Sequence, residues 1–293
     1  MPRFFSPAKV NLLLAIHEKL DDGFHQLSSI VVACNFGDYI TIETGTGSSD
    51  SITCTDSSIP CDATNLIAKG MHCLRKELDL PSYYHFHLEK NIPSGAGYGG
   101  GSSNAITAIK AVLSLEDKSL KPAVLNRIAS EIGSDCCFFI NPVPSLMEGR
   151  GDRIIALPAP LAKVILGTEL VLFKPSFSIS TAQAYQQLPY TAFRNVHETQ
   201  KSIKDFAGSI NFSKLLFNSF SKQHEAKFMA LNVLLSELRA EGIPSLISGS
   251  GSGCFSLLEG KNINNQRAFI NECVDRSLGK GAFCVQTQIA SGF

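Results

Sequence analysis

The residues able to do chemistry fall in four short stretches. The richest is Pro93-Ser94-Gly95-Ala96-Gly97-Tyr98-Gly99-Gly100-Gly101-Ser102-Ser103-Asn104-Ala105, in which glycine dominates and an apolar run follows at once. Glycine admits positive φ and lets a backbone approach a ligand with no Cβ between them. Ile106, Ile109, Ala111, Val112 and Leu113 favour a helix, with Ser102, Ser103 or Asn104 as its cap. A glycine loop that opens a helix turns free N–H groups and the positive end of the helix dipole towards an anion, and phosphate is the usual occupant. The second stretch, Pro7-Ala8-Lys9-Val10-Asn11-Leu12, sets a lysine and an asparagine two apart, hence on one face of a strand. In the third, Asp135 follows Gly133-Ser134 and precedes the apolar Cys136-Cys137-Phe138-Phe139, which part-buries a carboxylate. The fourth is a second glycine–serine loop, Ser248-Gly249-Ser250-Gly251-Ser252-Gly253. Together these separated stretches look like one site, with the first loop supplying phosphate binding.

Other readings of the first loop are weaker. A flexible Gly/Ser linker does not hold an alanine and a tyrosine at fixed places between a strand-like and a helix-like run. Gly95, Gly97 and Gly100 match G-x-G-x-x-G, but a dinucleotide site also needs an acid at the end of a second strand, and Glu116 and Asp117 close the helix instead. No Gly-Lys-Ser/Thr follows, which removes the ordinary nucleotide P-loop. Taken singly, Lys9 reads as a solvated lysine and Asp135 as a turn residue; it is their joint presence with two glycine loops that points to a site.

The elements that must hold these groups are legible from periodicity. Residues 4–18 read as an extended segment, ending in a turn at Asp21-Asp22-Gly23, followed by extended runs over 28–34 and 39–43. The polar stretch 45–61 is read as turns with one short strand at 51–54, then a helix over 65–78 and a strand from Tyr84 to Glu89 that enters the glycine loop. A helix over 120–132 leads to Asp135. Pro142, Pro144, Pro158 and Pro160 mark the change of domain, so that residues 1–157 and 158–293 are expected as two domains. The second half reads as strand (169–173), helices (180–188, 196–206, 224–240), strand (245–248), the second loop, strand (254–258), helix (265–278) and strand (282–289). That mixed order indicates α+β.

Composition narrows the classes. The 293 residues hold 26 basic and 26 acidic side chains, and 44% hydrophobic against 18% charged is ordinary globular usage. With no basic run and no aromatic–basic stripe, nucleic acid is not an expected partner. No apolar run is long enough for a bilayer, and Met1-Pro2-Arg3-Phe4-Phe5 lacks a signal-peptide pattern, so a cytoplasmic protein with no membrane partner is expected. The nine cysteines are odd in number and contain no C-x-x-C, which favours reduced, mostly buried thiols.

In this order, residues 93–103, 7–12 and 247–254 resemble the three motifs of the GHMP kinases, over nearly the whole chain. Further segments are similar to those of GHMP kinases that act on a cytidine-diphosphate sugar alcohol: Asp22-Gly23-Phe24-His25, Gly133-Ser134-Asp135, Glu148-Gly149-Arg150-Gly151-Asp152 and Ser180-Thr181-Ala182-Gln183-Ala184-Tyr185. Phe24 stands where tyrosine is usual, Tyr98 where leucine is, and Cys137 where proline is. The resemblance implies a two-domain α+β GHMP kinase fold, with an N-terminal domain like ribosomal protein S5 domain 2 and a ferredoxin-like C-terminal domain. It implies ATP and Mg²⁺, small-molecule substrates, and a monomer or homodimer. Asn65, Lys90 and residues 93–103 would bind ATP. Asn11, Phe24, His25, Asp135, Thr181, Tyr185, Gly249 and Ser250 would bind the acceptor, with Asp135 taking the hydroxyl proton beside Lys9. Two alternatives stay open: a homoserine or mevalonate kinase, and a non-catalytic nucleotide-binding protein on the same scaffold.

Overall fold

The computed structural model describes residues 1–45 and 47–293; of the polar stretch 45–61, Thr46 lies outside the described residues. Two long antiparallel strands form its spine, β1 (Arg3–Lys19) and β2 (His25–Thr44). They are joined by the turn at Asp21-Asp22-Gly23, where Gly23 takes a φ of +87°. The two extended runs expected over 28–34 and 39–43 are one strand. Its register slips opposite Pro7 and Ala8, so that Pro7 faces Gly37 while Ala8 faces Cys34. Proline has no N–H to give the ladder, and such slips belong beside it.

β3 (Ser51–Cys54) runs parallel to β4 (Tyr84–Glu89), which pairs with the far end of β2. Over this sheet lie α1 (Leu66–Glu77), α2 (Gly100–Leu115), α3 (Pro122–Ile132) and α4 (Cys136–Ile140), and their apolar faces bury Met71, Ile106, Ile109, Phe138 and the sheet's Phe86 in one core. The cap of α2 differs from expectation. Gly99, in the left-handed region at φ +71°, is the N-cap, and the Ser103 N–H already donates to its carbonyl. Residues 102–104 therefore fall inside the helix, because the left-handed turn that glycine accepts starts it three or more residues earlier.

The proline-punctuated stretch holds structure that the prolines concealed: a hairpin of β5 (Ser145–Gly149) and β6 (Arg153–Ala156), then α5 (Ala159–Ile165) with Pro158 at its N-cap. Beyond it come β7 (Glu169–Lys174), α6 (Thr181–Gln186), a 3₁₀ turn (Tyr190–Ala192), α7 (Val196–Ser209), α8 (Phe212–Leu215) and β8 (Phe217–Asn218). The chain finishes with α9 (Ser221–Lys227), α10 (Met229–Ala240), β9 (Ser245–Ile247), β10 (Cys254–Leu258), α11 (Ile263–Leu278) and β11 (Phe283–Ala290). The helix read over 224–240 is two, broken at Phe228, whose extended backbone lets its ring stack on Phe177 at 4.5 Å. β11 pairs with β7 along most of its length and with β2 at Cys34 and Ala33, so one path, β3-β4-β2-β11-β7-β10-β9, links the first half to the second.

Cys34, Cys136, Cys137, Cys254 and Cys273 are buried, and burial pushes the Cys34 and Cys136 thiols up to about 12, which leaves them unreactive. No helix among the described residues is long and apolar enough to cross a membrane.

Candidate active site

Three of the glycines in the first loop are there for conformation. Gly95, Gly97 and Gly99 have φ of +63°, +74° and +71°, alternating with Ala96 and Tyr98, whose side chains point down and are buried. The loop rests on the second glycine–serine loop. Gly253 N–H donates to Ala96 O at 3.0 Å, the Ser248 hydroxyl donates to Gly97 O at 3.2 Å, and a Cβ on Gly97 would come 2.3 Å from Ser248 O. Tyr98 acts as a post beneath. Its hydroxyl lies 2.8 Å from Phe173 O and 2.6 Å from Cys254 O, at the facing ends of β7 and β10, and a Cβ on Gly253 would meet its ring at 2.6 Å. Only the backbone of Tyr98 faces the site, and its carbonyl accepts from the Lys9 N–H at 2.9 Å.

Two cavities meet at Gly97. The smaller, about 220 Å³, is lined by Asn65, Lys90 and every residue from Pro93 to Gly101. Asn65 spends its side chain on structure: Oδ1 accepts from Ile67 N–H at the start of α1, and Nδ2 donates to Pro60 O. Lys90 is ion-paired with Asp38, which is wholly buried. The other oxygen of Asp38 accepts the N–H groups of Asn91 and Ile92, both at 2.8 Å, and Asn104 Nδ2 donates to Asp38 at 2.9 Å. A buried acid is tolerated only when paired and hydrogen-bonded in this way. Asp38 thus fixes both Lys90 and the corner that leads into the loop. In the sequence it is only an acid between Gly37 and an apolar strand, a pattern too common to mark it.

The larger cavity, about 540 Å³, gathers Lys9, Asn11, Phe24, His25, Asp135, Thr181, Tyr185, Gly249 and Ser250 from separate places in the chain. Lys9 is almost fully buried, and its Nζ donates to Asn11 Oδ1 at 2.8 Å and lies 3.3 Å from Asp135 Oδ2. Asn11 in turn donates to Ser29 Oγ, whose hydroxyl donates to Leu13 O. Asp135, at the head of the short α4, has a side chain 37% exposed to the cavity. Ser102 faces this cavity and not the smaller one, while Ser103 lies outside both, with its Oγ accepting from Ser6 at 2.8 Å.

At the far end of the larger cavity the side chains are aromatic. Phe24 projects from the β1–β2 turn, 53% exposed, with the Arg150 guanidinium 5.0 Å over one face of its ring. Arg150 is also ion-paired with Asp22, and Gly149 and Gly151 flank it at positive φ. Across from Phe24, His25 and Tyr185 lie 5.2 Å apart, ring to ring. Burial, then the charge of Lys19, hold the His25 imidazole below its ordinary value; burial, then Asp135, push the Tyr185 phenol above its own. Both rings are thus uncharged near neutral pH. One end of the site carries the Lys9–Asp135 pair, with the glycine loop beside it, and the other carries flat, uncharged rings with Arg150 over one of them.

Residues 65–147 match the family described as the GHMP kinases N terminal domain. The chain is 35% identical to a 4-diphosphocytidyl-2-C-methyl-D-erythritol kinase of Protochlamydia amoebophila, over 94% of this chain and 91% of that one. It is 34% identical to a chloroplastic kinase of the same description from Arabidopsis thaliana, over 85% of this chain and 66% of that one. A crystal structure of a 4-(cytidine 5'-diphospho)-2C-methyl-D-erythritol kinase superposes with a TM-score of 0.79 at 25% identity, covering 99% of this chain and 100% of that one. The α+β architecture is accordingly the two-domain GHMP kinase fold. The chain belongs to the GHMP kinases and, within them, to the family of 4-diphosphocytidyl-2-C-methyl-D-erythritol kinases.

Proposed function

We propose that the protein transfers the γ-phosphoryl group of ATP to the 2-hydroxyl of 4-diphosphocytidyl-2-C-methyl-D-erythritol, a step towards isoprenoid precursors. The observation that carries this reading is the Lys9–Asp135 contact of 3.3 Å on the wall of the larger cavity, next to the point where Gly97 joins it to the smaller one. The phosphates of ATP lie along the amides of residues 95–101, and the acceptor hydroxyl comes in over Asp135. Asp135 takes the hydroxyl proton, and Lys9, held by Asn11, offsets charge that builds on the transferring group. The cytosine rests against Phe24, His25 and Tyr185, which offer faces and a polar edge without charge.

Among the described residues no three His, Cys, Asp or Glu side chains converge as a metal cage. Mg²⁺ needs no such cage, because it keeps several waters and binds through one or two protein oxygens plus the phosphates of a nucleotide. Asp135 and Ser102, both on the larger cavity, are oxygen donors of the right kind. When bound, the ion neutralises phosphate charge. The uncharged aromatic end favours the cytidylyl acceptor over homoserine or mevalonate, which have no flat ring to place there. The test is a kinase assay with ATP and Mg²⁺ on the three acceptors side by side, with product followed by ³¹P NMR. Turnover on the cytidylyl acceptor alone is expected; turnover on homoserine or mevalonate at equal rate, or on none, overturns the reading.

A further inference from the structure

His224, on α9, takes no part in the chemistry just described, yet it is one of the most constrained side chains in the molecule. It is 2% exposed, and its ring lies parallel to Phe220 at 5.8 Å and tilted against Phe228 at 6.2 Å. Its Nε2 is 2.9 Å from the carbonyl oxygen of Ser250, while its Nδ1 is buried with no partner. A carbonyl oxygen can only accept, so Nε2 carries the proton and Nδ1 the lone pair. Burial holds the imidazole below its ordinary value and keeps this neutral form.

The carbonyl that His224 holds belongs to the wall of the larger cavity. Asn218 Nδ2 takes the neighbouring carbonyls of Ile247 and Gly249, each at 2.8 Å. With these oxygens drawn back, peptide planarity turns the Ser250 N–H the opposite way from Asn218. The Ser250 hydroxyl meets the Thr181 hydroxyl at 2.8 Å, and Thr181 opens the helix that carries Tyr185. Phe220, which stacks on His224, also packs edge-on against Tyr185 at 4.9 Å. The imidazole therefore touches the acceptor wall by two routes, through a hydrogen bond and through a ring.

We infer that His224 is a positioning residue for the acceptor: neutral and protonated on Nε2, it holds the Ser250 carbonyl inward, so that Ser250, Thr181 and Tyr185 stay in register around the substrate. It touches no reacting atom, and its effect falls on the acceptor side of the site. This inference rests on the functional reading above for the identity of the acceptor.

The experiment compares the full chain with His224→Leu and His224→Gln in steady-state assays with ATP and 4-diphosphocytidyl-2-C-methyl-D-erythritol. Leucine fills the space without a donor, and glutamine restores one. His224→Leu is expected to raise KM for the acceptor about tenfold, on the scale of one lost buried hydrogen bond, with KM for ATP within about twofold. His224→Gln recovers most of the loss. Equal rises in both KM values, an unchanged acceptor KM, or a glutamine variant no better than leucine overturns the inference. Should His224→Leu not fold, the ¹⁵N shifts of the wild-type ring, assigned by their loss in His224→Gln, still decide. A proton on Nε2 with bare Nδ1 at neutral pH supports the role, and the opposite tautomer ends it. A wild-type chain inactive on this acceptor sinks the functional reading, whereas the tautomer bears on His224 alone.

Discussion

Gly97 is where the two glycine loops touch, and replacing it with alanine tests whether that contact sets the geometry of transfer. Two costs are involved and can be separated. An L-residue forced into the left-handed region loses about 1–2 kcal/mol. In addition, the new Cβ would stand 2.3 Å from Ser248 O, inside the 3.0 Å that real Cβ contacts respect, so the two loops must part. Gly242 supplies the control, because it has the same φ of +74° with nothing within 4 Å of its would-be Cβ. Gly242→Ala thus carries the strain alone and should lower the melting temperature by a few degrees, at roughly 2–4 °C per kcal/mol for a chain of this order, with turnover unchanged. Gly97→Ala should show at least that loss of stability and, in addition, a kcat lower by about 10²-fold, because ångström-scale misplacement of reacting groups costs that much. Melting curves and steady-state kinetics on both variants suffice. If Gly97→Ala turns over within about threefold of Gly242→Ala, the loop contact does not set the reaction geometry and the placement of phosphate on these amides is wrong.

Asp135→Asn removes the proton acceptor while keeping its size, so kcat should fall by about 10² or more with KM for ATP little changed; near-normal turnover would remove Asp135 from the mechanism. Phe24→Ala should raise KM for the cytidylyl acceptor about 5- to 150-fold, the range that a lost base–aromatic contact spans. The ring is half exposed, so the melting temperature should hold, and an equal rise in KM for ATP would argue against the base-stacking role. His25 and His224 are both held below the ordinary 6.5. A base with a depressed folded value binds its proton in the unfolded chain first, so stability is full above about 6.5 and declines as pH falls from there towards the folded values. Urea unfolding at pH 7.5 and 5.5 should show the decline, and a smaller one in His224→Gln; no pH dependence in the wild type would refute it.

Much of this was legible in the sequence because each signal is local. Alternation gave β4, periodicity gave α1, and the glycines at 95, 97 and 99 announced positive φ. The β5–β6 hairpin and α5 went unread among the prolines at 142, 144, 158 and 160, since proline tolerates strand edges and helix starts as well as loops, and here it frames the hairpin and sits at the N-cap of α5. The single helix read over 224–240 missed its break because the cause, Phe177, lies far off in sequence. Within the site, the glycine loop and the Lys9–Asn11 spacing could be read as local patterns, and the family resemblance supplied Phe24, His25 and Tyr185. Asp38 and His224 could not be read. An acid between a glycine and a strand, or a histidine on a short helix, becomes meaningful only when residues distant in sequence close over it, as Asn104 does over Asp38 and Ser250 beside His224.

The post beneath the first loop also constrains the history of the sequence. Tyr98 and Gly253 belong to opposite halves of the chain, and a Cβ at 253 would stand 2.4 Å from the Ala96 carbonyl oxygen as well as 2.6–2.8 Å from the phenol. Position 253 is therefore closed to every other residue by the backbone of the first loop, whatever stands at 98. The freedom to drift lies at 98 alone, where the space above a glycine admits a phenol and the carbonyls of Phe173 and Cys254 give its hydroxyl partners.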